Sequence, residues 1–166
     1  MLGPIAVSQV DPSDVGWLES EFNARWPWPR RPGFVAELIA SCPHFVARDG
    51  DGRYLGHCHV RRGQHAPFIE RGVPEIADLN VMPDSRRRGA ATAMLDVAEA
   101  HASSTSAEAG IGVGVYDDYG PAQRLYTGRG YVLDGTGAWV GTTPVHGGDV
   151  VTADDHLVLY LTRRLR

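Results

Sequence analysis

The sequence predicts one mixed α/β sheet with helices packed against it. Two observations lead to this fold class. In the first half of the chain, two strand-like runs form a hairpin pattern over residues 44–61. From Glu75 onward, strand-like and helix-like runs alternate. The chain has 166 residues, of which 43% are hydrophobic and 22% are charged. We therefore expect a single domain over residues 1–166 with its own core.

The N-terminal part of the chain predicts a strand, a helix and a loop. Residues Ile5–Val10 predict the strand, and Asp11 and Ser13 are suitable N-caps for a helix that ends near Trp26. Three prolines interrupt residues 26–33. This segment therefore cannot be regular structure and is predicted to form a loop.

A short helix over Phe34–Ser41 is predicted to precede a β-hairpin. The hairpin strands are expected at His44–Arg48 and Arg53–Arg61, because the intervening Asp49–Gly52 carries the Asp-Gly pairs typical of such turns. Residues 62–72 are polar and are predicted to form a loop.

The second half of the chain predicts alternating strands and helices. Glu75–Met82 predicts a strand, Ala90–Ala102 predicts a helix from its apolar spacing, and Gly110–Val115 predicts a buried strand. The remaining predicted elements are a short helix over Pro121–Thr127 and extended segments at Tyr131–Leu133, around Trp139 and at His156–Thr162.

The composition excludes several classes of mechanism. All 16 basic residues are arginine, so a P-loop lysine, a Schiff-base lysine and a pyridoxal phosphate anchor are excluded. The formal net charge of -4 argues against a general nucleic-acid binder, and no apolar run is long enough to span a membrane. Cys42 and Cys58 form no metal-type pair, and no signal-peptide pattern is present. We therefore expect reduced thiols in a cytoplasmic protein.

An arginine-rich turn, Arg86–Ala91, joins the predicted strand at 75–82 to the next helix. The first turn of a helix leaves backbone N–H groups without internal partners, and the helix dipole adds partial positive charge there. Gly89 and the two alanines after it are small enough to let a ligand approach this backbone. The turn therefore predicts a site for a phosphorylated ligand.

Two common nucleotide-binding patterns are absent. The P-loop pattern needs a lysine, which the chain lacks. Gly110, Gly112 and Gly114 alternate within an apolar strand, and no helix opens after them, so they do not form the dinucleotide pattern. They indicate instead that a neighbour or a ligand approaches this strand closely.

Two motifs in a fixed order resemble one protein family. Arg86–Ala91 (Arg-x-x-Gly-x-Ala), following Leu79–Pro83, resembles the coenzyme A pyrophosphate motif of the GNAT N-acetyltransferases. Ala122–Tyr126 followed by Gly130-Tyr131 resembles a later motif of the same family. The ordered pair is more specific than either motif alone, and the resemblance covers Glu75–Leu133.

The resemblance implies a mostly antiparallel central sheet flanked by helices and splayed between the strand at 75–82 and the strand at 110–115. It also implies acetyl-CoA (coenzyme A) as cosubstrate, with no metal. Tyr119 stands where the family often has an asparagine that contacts pantetheine, so this sequence departs from the pattern there. The coenzyme-binding residues that follow from the resemblance are Leu79, Asn80, Val81, Met82, Arg86, Arg87, Arg88, Gly89, Ala90, Ala91, Thr92 and Tyr119.

The resemblance also implies two catalytic roles. Tyr126 stands at the family's general acid, which protonates the departing thiolate. Glu75 stands where some protein-acetylating members carry a catalytic glutamate. An alkyl ammonium has a pKa of about 10.4, so the acceptor must lose a proton before it attacks. Asp117, Asp118 or an ordered water chain remain alternative bases.

Histidines and tryptophans form further candidate features. His57 and His59 lie on one face of their predicted strand, but two imidazoles are too few for a metal site. They are interpreted as a packed or surface pair, or as an acceptor contact. Trp26 and Trp28 stand where the family shapes its acceptor pocket, and a place in the core is the alternative. The segment at 134–156 predicts either another wall of that pocket or a plain hairpin.

The sequence as a whole predicts an acyltransferase that moves the acetyl group of acetyl-CoA to a primary amine by direct attack. Small amines, amino acids, aminoglycoside-like compounds and protein or peptide amines all remain open as acceptors. We expect no nucleic-acid or membrane partner, and a monomer or homodimer. The alternative is a non-catalytic acyl-CoA-binding regulatory module.

Overall fold

The structure is a computed structural model that describes residues 3–27 and 30–165. Within these residues the predicted helices and strands occur in the predicted order, with one additional short helix and one additional two-residue strand. In chain order they are β1 (Ala6–Gln9), α1 (Val15–Arg25), α2 (Phe34–Ser41), β2 (His44–Arg48), β3 (Tyr54–Arg62), α3 (Ala66–Arg71), β4 (Pro74–Val81), α4 (Ala90–Ser103), β5 (Glu108–Gly114), α5 (Gly120–Gly128), β6 (Val132–Val140), β7 (Thr143–Pro144) and β8 (Leu157–Arg164).

The chain divides into two compact units. The first comprises Met1–Arg61 and Ile76–His101, and the second comprises Arg62–Glu75 and Ala102–Arg166. Strands β1, β2, β3 and β4 are successive neighbours in the first unit, and the β1–β2 and β2–β3 pairs are antiparallel. The second unit holds the order β5-β8-β6-β7, in which every pair is antiparallel. The predicted class, a mixed and mostly antiparallel sheet with helices, is confirmed.

Each unit has its own hydrophobic core. In the first unit, side chains from α1 and α2 pack on residues from the strands: Leu18, Phe22, Val35, Val46, Tyr54 and Met82. In the second unit the buried cluster is aromatic apart from one valine: Phe68, Val73, Trp139 and Tyr160. These cores fix the strands on which the candidate site residues lie.

Glycines mark positions where a neighbour approaches a strand closely. A Cβ added at Gly110 would lie 2.2 Å from the Phe68 ring, and one added at Gly114 would lie 2.4 Å from the Tyr119 ring. The predicted close approach to β5 is therefore confirmed, and side chains make it. In the first unit, a Cβ at Gly56 would lie 2.2 Å from the Asn80 carbonyl oxygen, so β3 and β4 need a glycine there.

The structure corrects two local predictions. Residues 62–72 were expected to form a loop, but Ala66–Arg71 form helix α3. Pro67 lies in its first turn, and Gly72, at φ 67°, ends it by donating its N–H to the Ile69 carbonyl. The two extended segments expected at 131–133 and around Trp139 are parts of one strand, β6.

Two larger predictions are not decided by these observations. The single domain over residues 1–166 and the splay between the strands at 75–82 and 110–115 both stay predictions. No helix in the described part of the chain is long and apolar enough to cross a membrane.

Candidate active site

The arginine-rich turn has the backbone geometry of an anion site. A short 3-10 helix over Pro83–Ser85 follows β4, and α4 begins at Ala90. Arg87 and Gly89 have φ angles of 60° and 92°, which carry the chain through left-handed conformations into the helix. The Ala93 N–H donates to the Gly89 carbonyl at 3.0 Å and closes the first helical turn. The N–H groups before it have no partner within the helix.

Ion pairs stabilise the segment that leads into this turn. Arg25 Nη2 lies 2.6 Å from Asp84 Oδ1 and donates to Ser85 Oγ at 3.3 Å. Arg53 Nη2 lies 2.7 Å from the other carboxylate oxygen of Asp84. The hydrogen bond from Arg25 is the main cause of a lowered pKa at Asp84. Asp84 is therefore a carboxylate that links α1, through Arg25, and the residue before β3, Arg53, to the turn.

Two of the three arginines in the turn already have partners within the protein. Arg86 Nε donates to the Val81 carbonyl at 3.3 Å, and its guanidinium lies 5.9 Å from the Trp26 ring centroid. Arg88 pairs with Asp49 at 3.5 Å, whereas Arg87 is exposed. The side chains of Arg86 and Arg88 are therefore partly engaged by contacts within the protein.

Strand β4 departs from regular extended geometry just before the predicted coenzyme-binding residues. Asp78 has a φ of 48°. Aspartate is one of the few residues other than glycine that adopts this conformation readily. The regular alternation of side chains predicted for 75–82 is interrupted there, and no sequence signal indicated it. After this point Leu79, Asn80 and Val81 are half-buried, and Met82 is fully buried.

The predicted catalytic residues both belong to the second unit. Glu75 is 4% exposed, and its Oε2 accepts a hydrogen bond from the Gln64 backbone N–H at 3.2 Å. Tyr126 lies on α5 and is 5% exposed, with its ring centroid 6.1 Å from that of Tyr131. Both side chains are therefore held in place by burial.

Tyr119, the departure from the family pattern, has a packing role in the second unit. Its ring covers Gly114, and its hydroxyl donates to Asp155 Oδ1 at 3.0 Å. Burial is the main cause of its raised pKa. Tyr116 donates to the same oxygen, and this hydrogen bond raises the pKa of Tyr116 to about 12.

The predicted site residues fall into two sets. The structure brings one set together at the β4–α4 junction of the first unit: Leu79, Asn80, Val81, Met82, Arg86, Arg87, Arg88, Gly89, Ala90, Ala91 and Thr92. Glu75, Tyr119 and Tyr126 belong to the second unit, as do the exposed Asp117 and Asp118. Trp28 lies outside the described residues, and Trp26 packs against the core of the first unit.

His57 and His59 are part of a larger buried group, named here the histidine cluster (His44, His57 and His59). Their exposed fractions are 1%, 3% and 1%, respectively. The ring centroid of His44 lies 5.0 Å from that of His57 and 5.7 Å from that of His59. Sequence analysis identified the pair on β3 but missed His44, because only the β2–β3 register places His44 opposite His59.

Hydrogen bonding within the histidine cluster is uneven. His57 Nδ1 is 2.5 Å from the Tyr54 hydroxyl, and its Nε2 is 3.4 Å from Asn80 Nδ2. Neither ring nitrogen of His44 has a hydrogen-bond partner within the described residues. Burial, more than the charge of its neighbour His59, lowers the pKa of His44 to about 4, and burial also lowers that of His57. These two imidazoles are therefore neutral at pH 7.

No group of three or more His, Cys, Asp or Glu side chains within residues 3–27 and 30–165 has an arrangement that could hold a metal ion. The two cysteines of this region are free thiols. Cys58 is buried, and burial raises the pKa of its thiol to about 12. A thiol with this pKa is a poor nucleophile.

A comparison with models of protein families identifies the family of this chain. The model of the acetyltransferase (GNAT) family matches residues 12–131. The chain belongs to this family. It is accordingly an acyltransferase that moves an acetyl group to an amine, and the family that the two motifs predicted is confirmed. A comparison of this acetyltransferase with curated proteins found no match.

Solved structures of N-acetyltransferases have the same fold. NAA60 from Arabidopsis thaliana, solved with a bisubstrate analogue, is 16% identical, with a TM-score of 0.68 over 97% of this chain and 98% of that one. The spermidine/spermine N-acetyltransferase SpeG from Vibrio cholerae is 15% identical, with a TM-score of 0.64 over 97% and 92%. The protein yncA from Salmonella typhimurium, solved with its cofactor acetyl-CoA, is 15% identical. Its TM-score is 0.66 over 98% of this chain and 94% of that one.

Proposed function

We propose that this acetyltransferase uses acetyl-CoA as donor and binds its pyrophosphate on the backbone of Arg87–Thr92. The observation that supports this most strongly is the geometry of the turn, where Gly89 at φ 92° leads into the start of α4. Small residues there leave the N–H groups accessible to phosphate oxygens. The family uses acetyl-CoA, and yncA was solved with it.

The strand before the turn supplies the second part of the proposed donor site. The backbone of Leu79–Met82 would hydrogen-bond the acetyl carbonyl and the pantetheine arm. The irregular φ of Asp78 supports this role, because it breaks the regular strand geometry immediately before these residues. Acetyl-CoA, when bound, supplies an activated acetyl thioester. The protein supplies orientation and hydrogen-bond donors for the developing oxyanion.

Proton transfers would be performed by side chains of the second unit. Tyr126 would donate its phenolic proton to the departing thiolate. Glu75 would accept the proton that the acceptor amine loses, with Asp117, Asp118 or water as the alternative acceptors. Both Tyr126 and Glu75 are nearly fully buried, so packing holds the two side chains in place.

The acceptor nitrogen would attack the thioester carbon directly, without an acetyl-enzyme intermediate. The raised pKa of the Cys58 thiol supports this, because it keeps the thiol protonated near neutral pH. The acceptor would be a primary amine on a small molecule or peptide, a range that the polyamine named for SpeG and the bisubstrate complex of NAA60 support. We further propose that the reaction needs no metal. The free thiols support a cytoplasmic location.

The experiment that tests this function compares wild type with Tyr126→Phe. Wild type should release free thiol from acetyl-CoA in the presence of at least one amine of a broad panel. Tyr126→Phe should lower kcat by 10²-fold or more, because general acid catalysis contributes about that factor, and should leave the Kd of acetyl-CoA unchanged. Tyr131→Phe is the matched control, since Tyr131 is a buried neighbour of Tyr126.

Two outcomes would count against the proposal. Unchanged kcat in Tyr126→Phe would exclude Tyr126 as general acid. Tight acetyl-CoA binding by wild type without turnover of any amine would favour a regulatory acyl-CoA-binding module instead.

A further inference from the structure

We propose that Asp78 binds the ammonium group of the acceptor, so that the preferred acceptors are aliphatic amines that are protonated at neutral pH. This inference rests on the proposed function. It adds a specificity-determining residue that neither the sequence motifs nor the family match assigns.

The surroundings of Asp78 already hold a cation in this structure. Arg30 Nη2 lies 3.1 Å from Asp78 Oδ1. The same guanidinium lies 4.9 Å from the Phe34 ring centroid and 5.8 Å from that of Phe22. The guanidinium thus has a carboxylate as its ion-pair partner and two aromatic rings near it, a combination that favours an organic cation. The protein's own arginine therefore identifies the chemistry that this place accepts.

The ion pair between Arg30 and Asp78 is exchangeable. The two side chains are 34% and 26% exposed, respectively, so solvent and small cations reach both of them. Partly exposed ion pairs contribute little to stability because water and salt screen them. An acceptor ammonium can therefore replace the guanidinium at the carboxylate, with Arg30 acting as an internal competitor.

The backbone conformation at Asp78 also distinguishes it from an ordinary strand residue. Its φ of 48° lies in the left-handed region, which costs free energy for a residue with a side chain. It directly precedes Leu79, whose Cα is about 3.8 Å away across one peptide bond. Asp78 is therefore the chain neighbour of the backbone proposed to bind the acetyl carbonyl. An ammonium bound by Asp78 would be held beside the proposed donor site.

The other side of Asp78 faces the histidine cluster. Asp78 Oδ2 lies 4.0 Å from His59 Nδ1. His44 and His57 stay neutral at pH 7 because burial lowers their pKa values. These two imidazoles therefore place no positive charge behind the carboxylate, where it would oppose a second cation. An acceptor ammonium would replace the Arg30 guanidinium at Asp78 Oδ1.

Two amines of similar size distinguish binding to the Asp78 carboxylate from binding that depends only on the shape of the pocket. Benzylamine is an ammonium at pH 7.5, whereas aniline is neutral at this pH. A carboxylate forms charge-assisted hydrogen bonds with the first and only ordinary ones with the second. The dependence of KM on Asp78 should therefore be large for benzylamine and small for aniline.

The test measures free-thiol release by the full chain with both amines in four proteins. Asp78→Asn removes the charge and keeps the backbone, since asparagine also tolerates a positive φ. It should raise the KM of benzylamine tenfold or more, with little change for aniline and none in the Kd of acetyl-CoA. Arg30→Gln should lower the KM of benzylamine several-fold. Asp51→Asn, at an exposed position in the hairpin turn, should match wild type.

Equal losses for both amines, or an unchanged KM for benzylamine in Asp78→Asn, would overturn the proposal. If wild type acetylates neither amine, thermal unfolding with benzylammonium chloride is compared with sodium chloride at equal ionic strength. A stabilisation that Asp78→Asn abolishes supports the site, and no stabilisation of wild type overturns it. Failure of the proposed function is a separate result, seen as no turnover of any amine while this stabilisation persists.

Discussion

Both units contain buried histidines, but the hydrogen-bond partners of these histidines differ. In the second unit, His65 is fully buried and its Nε2 is hydrogen-bonded to Asp134 Oδ2 at 2.6 Å. Its ring stacks on Tyr160 at 3.8 Å between centroids, and the rings of Phe68 and Trp139 meet it edge-on. In the first unit, the Asp78 carboxylate lies 4.0 Å from His59 Nδ1, and neither ring nitrogen of His44 has a hydrogen-bond partner within the described residues.

The pair in the second unit explains a local irregularity of the fold. The β6–β8 register shifts between Leu133 and Ala138, and Asp134 begins the irregular segment. Thr136 donates its hydroxyl proton to Asp134, and Trp139 Nε1 donates to Thr136 Oγ1 at 3.0 Å. His65 and Asp134 therefore hold this irregular segment of β6 in place, and their role is structural.

The buried histidines of the two units differ in their hydrogen-bond partners, and this difference bears on function. A buried polar group that lacks a hydrogen bond lowers stability, so native proteins keep few of them. His44 is such a group in the first unit. Its neighbours in the histidine cluster, His57 and His59, lie 3.4 Å from Asn80 Nδ2 and 4.0 Å from Asp78 Oδ2 on the strand proposed to bind the donor. The histidine cluster thus lowers stability where the reaction is proposed to occur, whereas His65 and Asp134 raise it elsewhere.

The greatest loss of stability is expected when the hydrogen-bonded pair of His65 and Asp134 is broken. Asp134→Ala should lower the free energy of unfolding by about 3–5 kcal/mol, because it leaves a buried imidazole without its partner. Urea unfolding at pH 7.5 measures this. Glu70→Ala, which removes an exposed carboxylate from α3 in the same unit, should change it by less than about 0.5 kcal/mol. A loss below about 1 kcal/mol for Asp134→Ala would show that the bond between His65 and Asp134 contributes little to stability.

Acid should destabilise the protein through the histidine cluster. The pKa of His44 falls from 6.5 in the unfolded chain to about 4 in the folded protein, chiefly through burial. Between these values the unfolded state binds more protons. Stability is therefore fully present above pH 6.5 and is lost as the pH falls toward 4. For His44 the loss is about 3 kcal/mol, at roughly 1.4 kcal/mol per pKa unit.

His44→Phe isolates this contribution, because it keeps an aromatic ring and removes the titrating group. Urea unfolding between pH 7.5 and 4.5 should show a shallower loss of stability in this variant than in wild type. His146→Phe, at an exposed position, should leave the profile unchanged. Parallel profiles for wild type and His44→Phe would show that His44 does not titrate with the folding equilibrium.

The comparison also explains how much could be predicted from the sequence. The arginine-rich turn was recognised because its spacing, its small residues and the following helix are all local features. The same is true of α2, which the sequence predicted with the bounds observed, Phe34–Ser41. Helix α3 was missed because it has six residues in a polar segment, and Pro67 and Gly72 were its only signals.

Features that depend on register or tertiary contacts could not be predicted. His44 joins His59 only through the pairing of β2 with β3, and His65 meets Asp134 across a separation of 69 residues. The left-handed φ of Asp78 has no local signature, since aspartate is also common in ordinary turns. The candidate acceptor contact was therefore found from the structure, whereas the donor motif was found from the sequence.

The smallest expected effect tests how much the remaining hydrogen bonds of the histidine cluster contribute. Tyr54→Phe removes the hydroxyl that lies 2.5 Å from His57 Nδ1 and should lower the free energy of unfolding by about 1–2 kcal/mol at pH 7.5. Tyr116→Phe, whose hydroxyl bonds an exposed carboxylate, is the matched control and should lower it by less than about 0.5 kcal/mol. If the two losses are equal, the Tyr54–His57 bond contributes no more than a surface contact. A larger loss at Tyr54, together with an unchanged Kd for acetyl-CoA, would show that this bond stabilises the histidine cluster without being part of the donor site.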